Sequence, residues 1–322
     1  MGISRALITG IGGFAGQHLG RVLRSLEIEV RGFTLTAEGN SEFHRVSDYG
    51  DIGDVDRLAE IMAANPPDVV YHLAGLAVVG DAWNQRRRVF EVNTLGTGTC
   101  LEAIAAAAPS ARVLLVSSGL VYGHVAAANL PVTEDHPRRP RGPYAASKAC
   151  AEIVASEFCA SHNIELIVIR PFNFAGPGQG LGFVSSDFAC QIARIEAGMA
   201  EPRIRVGNLE AERDFTDVRD FVGGLIAAAD RGVNGTTYNL CSGQAVSIMT
   251  VLTKLLAAAT VSIEVEPDPD RLRPSDTARL VGCNALARTE LGWWPRIPFE
   301  QTLVDTLDWW RQRVRQEQAT DG

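Results

Sequence analysis

The first 170 residues alternate between short β-branched runs and longer amphipathic stretches, and few folds accept that order. RALITG (5–10), EVRGFTL (29–35), VVYHLA (69–74), RVLLVSS (112–118) and ELIVIR (165–170) read as strands. Helical patterns fill the intervals at about 14–26, 55–65, 88–108 and 144–162. Strands spaced by helices of this length build βαβ units and a parallel sheet. The strands are nearly continuous in apolar residues, which implies burial on both faces. The expected fold is α/β, a doubly wound parallel sheet.

After residue 173 the texture changes. The stretch 174–186 is rich in Gly, Ser and Pro, and EPDPDRLRPSD (266–276) is proline-rich and charged. Both read as irregular loops able to wrap a ligand. Helices are expected again at 187–198, 218–231, 247–259, 284–291 and 299–316, with the terminal QEQATDG frayed. The expected division is a larger α/β domain, 1–173 with about 218–245, and a smaller C-terminal α/β lobe, 174–217 and 246–316.

A net charge of −8 leaves no electrostatic footprint for nucleic acid or an anionic membrane. No apolar run reaches the ~18 residues that span a bilayer, and MGISRALITG lacks the charged-then-apolar pattern of a signal peptide. The six cysteines are scattered without a C-x-x-C pair. They read as reduced core thiols of a cytoplasmic protein, with no metal site.

Thr9-Gly10-Ile11-Gly12-Gly13-Phe14-Ala15-Gly16 follows the first strand and opens a helix. Gly10, Gly13 and Gly16 permit a sharp turn, close approach of a pyrophosphate and tight helix packing. The helix N-terminus then offers free N–H groups to the phosphates. This is the Rossmann arrangement, and it calls for NADP(H) or NAD(H). The second strand ends Phe33-Thr34-Leu35 without the acid that holds NAD ribose hydroxyls, and Glu38 comes late. NADPH is slightly favoured, although no Arg follows at once to grip its 2′-phosphate.

Tyr144-Ala-Ala-Ser-Lys148 places two side chains one turn apart on one helix face. With five tyrosines and only two lysines in the chain, chance rarely produces that pair. An ammonium beside the phenol is expected to lower its pKa toward useful acid–base chemistry. Ser118 ends a strand at the carboxyl edge of the sheet, where ligands bind. Its hydroxyl can bond a reacting carbonyl, or simply cap a turn.

With these pieces in order, the chain resembles the extended short-chain dehydrogenase/reductase family over essentially its whole length. The likeness rests on TGIGGFAG, Gly50-Asp51-Ile52, His72-Leu73-Ala74-Gly75, Val92-Asn93-Thr94, SSGLVYG, YAASK and IRPFN. It implies Ser118, Tyr144 and Lys148 as a catalytic trio and Asn93 as a structural support. For the cofactor it implies Asp51 and Ile52 at the adenine, and Leu73, Ala74 and Gly75 along its length, with Gly10, Gly13, Phe14 and Gly16 at the phosphates. It also implies a homodimer built through a four-helix bundle.

The second half resembles the nucleotide-sugar branch of that family. Pro177-Gly178-Gln179 with Phe183-Val184 is similar to its substrate loop. VGNLEAERDF (206–215) resembles a segment shared by GDP-mannose 4,6-dehydratases and GDP-4-keto-6-deoxy-mannose reductases. RLRPSD (271–276) resembles a later loop that closes over the nucleotide. The resemblance implies substrate contacts from Asn173, Val184, Asn208, Arg213, Arg273 and Asp276. Arg213 and Arg273 suit a diphosphate through charge-assisted contacts.

Dehydratases of the family carry Asp-Glu or Ser-Glu between the catalytic hydroxyl and Tyr-Gly, where this chain has Gly119-Leu120. Leucine transfers no proton, which removes elimination chemistry. The epimerising reductase that makes GDP-fucose has a cysteine at the Leu120 position. What remains is an NAD(P)H-dependent 4-ketoreductase of a nucleotide-activated 4-keto-6-deoxy sugar. The implied reaction converts GDP-4-keto-6-deoxy-mannose to GDP-rhamnose or its C4 epimer. Apolar Leu76-Ala77-Val78-Val79-Gly80, and Phe174 where the GDP-sugar reductases tend to carry histidine, favour a less polar hexose. A nucleotide-sugar 4-epimerase with tightly bound NAD is the alternative. A non-catalytic dinucleotide-sensing protein is a third reading, which the intact trio opposes.

Overall fold

The computed structural model describes residues 2–35, 47–77, 81–268 and 278–321. Among them, seven strands form one parallel sheet. These are β1 (Arg5–Thr9), β2 (Glu29–Thr34), β3 (Ser47–Tyr49), β4 (Val69–His72), β5 (Arg112–Val116), β6 (Leu166–Pro171) and β10 (Thr237–Leu240). Their order across the sheet is β10-β6-β5-β4-β1-β2-β3.

The period-2 alternation of each strand feeds two cores. Ala6 and Ile8, Val69 and Tyr71, Leu114, and Ile167 and Ile169 face α1 (Phe14–Ser25), α7 (Val218–Arg231) and α9 (Ala285–Leu291). Leu7, Val70, Val113, Leu115, Leu166 and Val168 face α2 (Val55–Ala64), α4 (Gly96–Ala107) and α5 (Pro143–His162). Burial on both faces is why these strands read as unbroken apolar runs.

The expected helix 88–108 is divided. α3 (Arg86–Phe90) leads into a π-helical turn, Glu91–Leu95, before α4 begins. Such π-turns are rare inside helices and occur often at functional sites, and Asn93 sits buried in the middle of this one.

A third core lies under α6 (Val184–Glu196), α8 (Ile248–Ala257) and α10 (Phe299–Asp321). They pack with β9 (Glu212–Asp217), which β7 (Asn173–Ala175), β11 (Ala245–Ser247) and β13 (Arg279–Leu280) flank, while β8 (Arg203–Val206) pairs with β12 (Glu264–Pro267). The expectation of irregular chain over 174–186 is therefore corrected at both ends, by β7 and by a helix that starts at Val184. Strand β12 likewise enters the stretch expected as a loop from 266, while 269–277 lie outside the described residues. The frayed terminus is also corrected, because α10 continues to Asp321. Cys100, Cys159, Cys190 and Cys241 are buried as expected, whereas Cys150 and Cys283 are only half-buried.

Candidate active site

The strand order reverses between β1 and β4, so a crevice opens outside their carboxyl ends. Gly10 leaves β1 with φ +74°, and a Cβ there would stand 2.8 Å from the Ala74 nitrogen. Gly13 is the N-cap of α1 and donates its N–H to the Gly10 carbonyl at 3.0 Å. A Cβ on Gly16 would strike that same carbonyl oxygen and stand 2.7 Å from the Ile11 Cα. No side chain caps α1 and no acid lies in its first turn, so its N–H groups stay available to an anion. Leu73 and Ala74 are half-buried opposite this turn, and Gly75 is exposed. These residues fit a bound dinucleotide.

Phe14 does not stand free at this turn. Its ring stacks on Phe174 at 5.9 Å, and Phe174 stacks in turn on Phe221 at 4.4 Å. Asp51 accepts the Gly53 N–H at 2.9 Å and an Arg88 hydrogen bond at 3.1 Å. Those contacts hold its carboxyl below the usual carboxylate range. The Ile52 side chain is buried in the core with Phe33, Val70 and Leu101. Glu38 lies outside the described residues.

His72, to which the sequence pattern assigned no role, ties the two sides of the crevice together. It faces Thr9 across the β1–β4 pairing. Thr97 Oγ1 donates to the Asn93 carbonyl at 2.7 Å, which leaves it to accept from His72 Nε2 at 3.1 Å. His72 Nδ1 is then the acceptor for Thr9 Oγ1 at 2.9 Å, and Thr9 Oγ1 receives the Ala74 N–H at 3.3 Å. Burial, helped by the Lys148 charge, pushes the imidazole pKa down from 6.5 to about 3. A histidine neutral in the fold stabilises it fully above pH 6.5, and the contribution falls away as pH drops toward 3. Wild-type stability should therefore decline by up to about 1.4 kcal/mol per pH unit from this group alone. Urea titrations of His72→Asn at pH 7 and pH 5 should show a smaller pH effect than wild type. An equal effect would remove His72 as the source.

The trio comes together from β5 and α5. Ser118 follows β5, and its Oγ accepts the Leu120 N–H at 3.1 Å, capping the short 3-10 turn Gly119–Tyr122. The cap reading of this serine is realised in that contact. Its hydroxyl also lies close enough to Tyr144 to lower the pKa of that phenol. α5 begins with Pro143 after Gly142 at φ +83°, so Tyr144 lies in the first turn beside the strand ends. Lys148 is 6% exposed, and its Nζ donates to the Val116 carbonyl at 2.8 Å. A Cβ on Gly75 would stand 3.2 Å from that nitrogen.

The expected depression of the Tyr144 pKa is corrected. Burial raises it, Ser118 offsets part of the rise, and Lys148 is not among the groups that shift it. Asn93 braces the site from the π-turn. Its side chain accepts from the Leu76 N–H at 2.8 Å and donates to the Leu76 carbonyl at 3.2 Å and to Ser147 Oγ at 3.0 Å.

The residues expected at the sugar nucleotide are spread over the third core and its edges. Asn173 opens β7 and is half-buried, Val184 opens α6, and exposed Asn208 turns the chain by accepting the Glu210 N–H at 3.0 Å. Arg213 lies half-buried on β9, where it donates to the Glu212 carbonyl at 2.9 Å. Arg273, Asp276 and 78–80 lie outside the described residues. Leu120 is half-buried against the small cluster that holds Tyr122, Phe172 and Cys241.

A glycine cradle at the sheet reversal, with Ser118 and a Tyr-x-x-x-Lys helix beside it, is the construction of an extended short-chain dehydrogenase/reductase. The chain belongs, within that class, to the GDP-mannose 4,6-dehydratase family, whose model matches residues 7–306. It is 36% identical to the GDP-6-deoxy-D-mannose reductase of Pseudomonas aeruginosa, over 97% of this chain and 99% of that one. The solved structure of RMD from Pseudomonas aeruginosa complexed with NADPH is similar with a TM-score of 0.84 at 34% identity, covering 96% and 99% of the two chains. The UDP-glucose 4-epimerase of Thermus thermophilus complexed with NAD is similar with a TM-score of 0.85 at 28% identity, covering 95% and 99%.

Proposed function

We propose that the protein is an NAD(P)H-dependent 4-ketoreductase of a nucleotide-activated 4-keto-6-deoxy sugar, with GDP-4-keto-6-deoxy-mannose as substrate and GDP-rhamnose or its C4 epimer as product. The observation that carries this reading is Leu120. It packs against a small apolar cluster, at the position where dehydratases of the resembled family carry a proton-transfer group. The 36% identity to a GDP-6-deoxy-D-mannose reductase supports the same chemistry.

When bound, the reduced nicotinamide supplies a hydride equivalent to the sugar C4. Tyr144 Oη gives its proton to the C4 oxygen, and the raised pKa keeps that proton in place at neutral pH. Ser118 Oγ already accepts the Leu120 N–H, so its own proton can polarise the carbonyl oxygen. Lys148 beside Gly75 holds the nicotinamide ribose. Arg213 and Arg273 would grip the diphosphate, while Asn173, Val184, Asn208 and Asp276 line the sugar nucleotide. The lobe of 174–217 and 246–316 serves that substrate, and 1–173 with 218–245 the dinucleotide. NADPH is the favoured cofactor, in keeping with the NADPH complex of the similar reductase.

Mixing the purified protein with GDP-4-keto-6-deoxy-mannose and NADPH or NADH should oxidise the cofactor, with NADPH the faster. An oxidised nicotinamide carried through purification, with no turnover of added NADPH, would instead establish the 4-epimerase reading that the epimerase relatives favour.

We further propose a cytoplasmic homodimer. Among the described residues no helix is long and apolar enough to cross a membrane. Leu95 at the head of α4 is 66% exposed and Ile153 on α5 is 57% exposed, on two helices that pack together. A second copy of the same face would cover them as a four-helix bundle. Light scattering should find a dimer for wild type and a monomer for Leu95→Glu/Ile153→Glu. A wild-type monomer would end the proposal.

A further inference from the structure

Behind the trio lies a buried charge cluster to which the proposed reaction assigns nothing. Glu152 follows Lys148 by four residues, as Lys148 follows Tyr144, so the three share one face of α5. It is 1% exposed. Its Oε1 accepts from Ser117 Oγ at 2.5 Å and from Arg170 Nε at 2.9 Å. Its Oε2 accepts from Arg170 Nη2 at 2.7 Å and from Arg138 Nη1 at 2.8 Å. Arg170, on β6, also donates to the Tyr122 hydroxyl at 2.9 Å, and Tyr122 donates to Asn239 Oδ1 at 2.7 Å.

Elsewhere α5 meets the sheet through small apolar side chains such as Ala155 and Cys159. Burying a carboxylate is costly unless it is fully paired, and apolar packing would join helix to sheet more simply. The ion cluster stands at the level where Ser117 adjoins Ser118 and where Lys148 is anchored to the Val116 carbonyl.

We propose that Glu152 is a positioning residue: its carboxylate clamps α5 to the ends of β5 and β6, keeps Tyr144, Lys148 and Ser118 in one geometry, and supplies the negative charge that faces the Lys148 ammonium. The proposal rests on the reading of those three residues as the catalytic trio. Burial pulls the Lys148 amine down to about 8, and Glu152 opposes that pull. The other titratable groups around Lys148 are Tyr144 on its own helix and neutral His72 on β4. Arg170 and Arg138 pair with the far side of the arrangement through Glu152.

Lys148 and Lys254 are the only lysines in the chain, so isotope-labelled lysine gives two side-chain NMR titrations. Lys254, paired with Glu300 at 2.7 Å, is the internal control. Wild-type Lys148 should titrate near 8. Glu152→Gln should move that midpoint about one unit lower, leaving Lys254 in place. The alkaline limb of kcat should move with it, and kcat should fall more than the KM for the cofactor rises. Glu152→Asp, which keeps the charge, should restore most of the Lys148 midpoint.

Because Glu152→Gln leaves Arg170 buried without its partner, the double variant Glu152→Gln/Arg170→Gln is measured beside it and should show a smaller acidward shift, since a cation is removed with the anion. An unchanged Lys148 midpoint in whichever of these two variants folds, or an activity loss equal at every pH, overturns the proposal. A shifted midpoint in a protein whose wild type turns over no nucleotide sugar supports the role of Glu152 and fails the ketoreductase reading instead.

Discussion

Tyr144→Phe should lower the rate of keto-sugar reduction by about 10²–10⁴-fold, the usual worth of a positioned general acid. Burial raises the pKa of this phenol, so at neutral pH it stands protonated, as a donor to a developing alkoxide must. The ring remains in the variant, and the Ser118 hydroxyl keeps the Leu120 N–H, so the fold and the NADPH affinity should survive. Stopped-flow measurement of NADPH oxidation, with a separate binding titration, separates the two quantities. Full activity in Tyr144→Phe would refute the proton-donor role.

Gly16→Ala should abolish useful dinucleotide binding, weakening it by at least about 100-fold through loss of the tight helix–turn contact that the third glycine permits. A Cβ at this position meets the Gly10 carbonyl oxygen and stands 2.9 Å from the Ile11 carbonyl oxygen. Both are backbone atoms, which cannot rotate aside as a flexible side chain would. The turn must open, and the first N–H groups of α1 then move away from the phosphates. Calorimetric titration with NADPH is the measurement, and Gly98→Ala serves as the control. A Cβ there meets only Val154 at an ordinary 3.8 Å. Wild-type affinity in Gly16→Ala would remove the glycine turn from the cofactor site.

How much of this was legible in sequence depended on distance along the chain. The strand and helix order of the first half could be read because each strand alternates between two cores at period 2. The short strands of the second half could not. β7, β8, β11 and β13 span two to four residues and take their pairing from β9 and β12 rather than from a pattern of their own. The helix expected at 88–108 was right in kind, yet its π-turn holds Asn93, which reaches Leu76 and Ser147, residues 17 and 54 positions away.

The site divides along the same line. By itself the sequence determined that Tyr144 and Lys148 share a helix face and that a glycine turn follows the first strand, while the contrast between Leu120 and a dehydratase's acid came only with the family resemblance. The first two are local statements, settled by helical periodicity and by backbone freedom. Only the tertiary structure decided that His72 would be held neutral between Thr9 and Thr97, that burial would raise the tyrosine pKa while Lys148 bonds Val116, and that Glu152 would meet Arg170 from another strand. Partner and solvation are set for a buried polar group by whichever elements close over it. Those elements come from distant parts of the chain, and no short-range pattern records them.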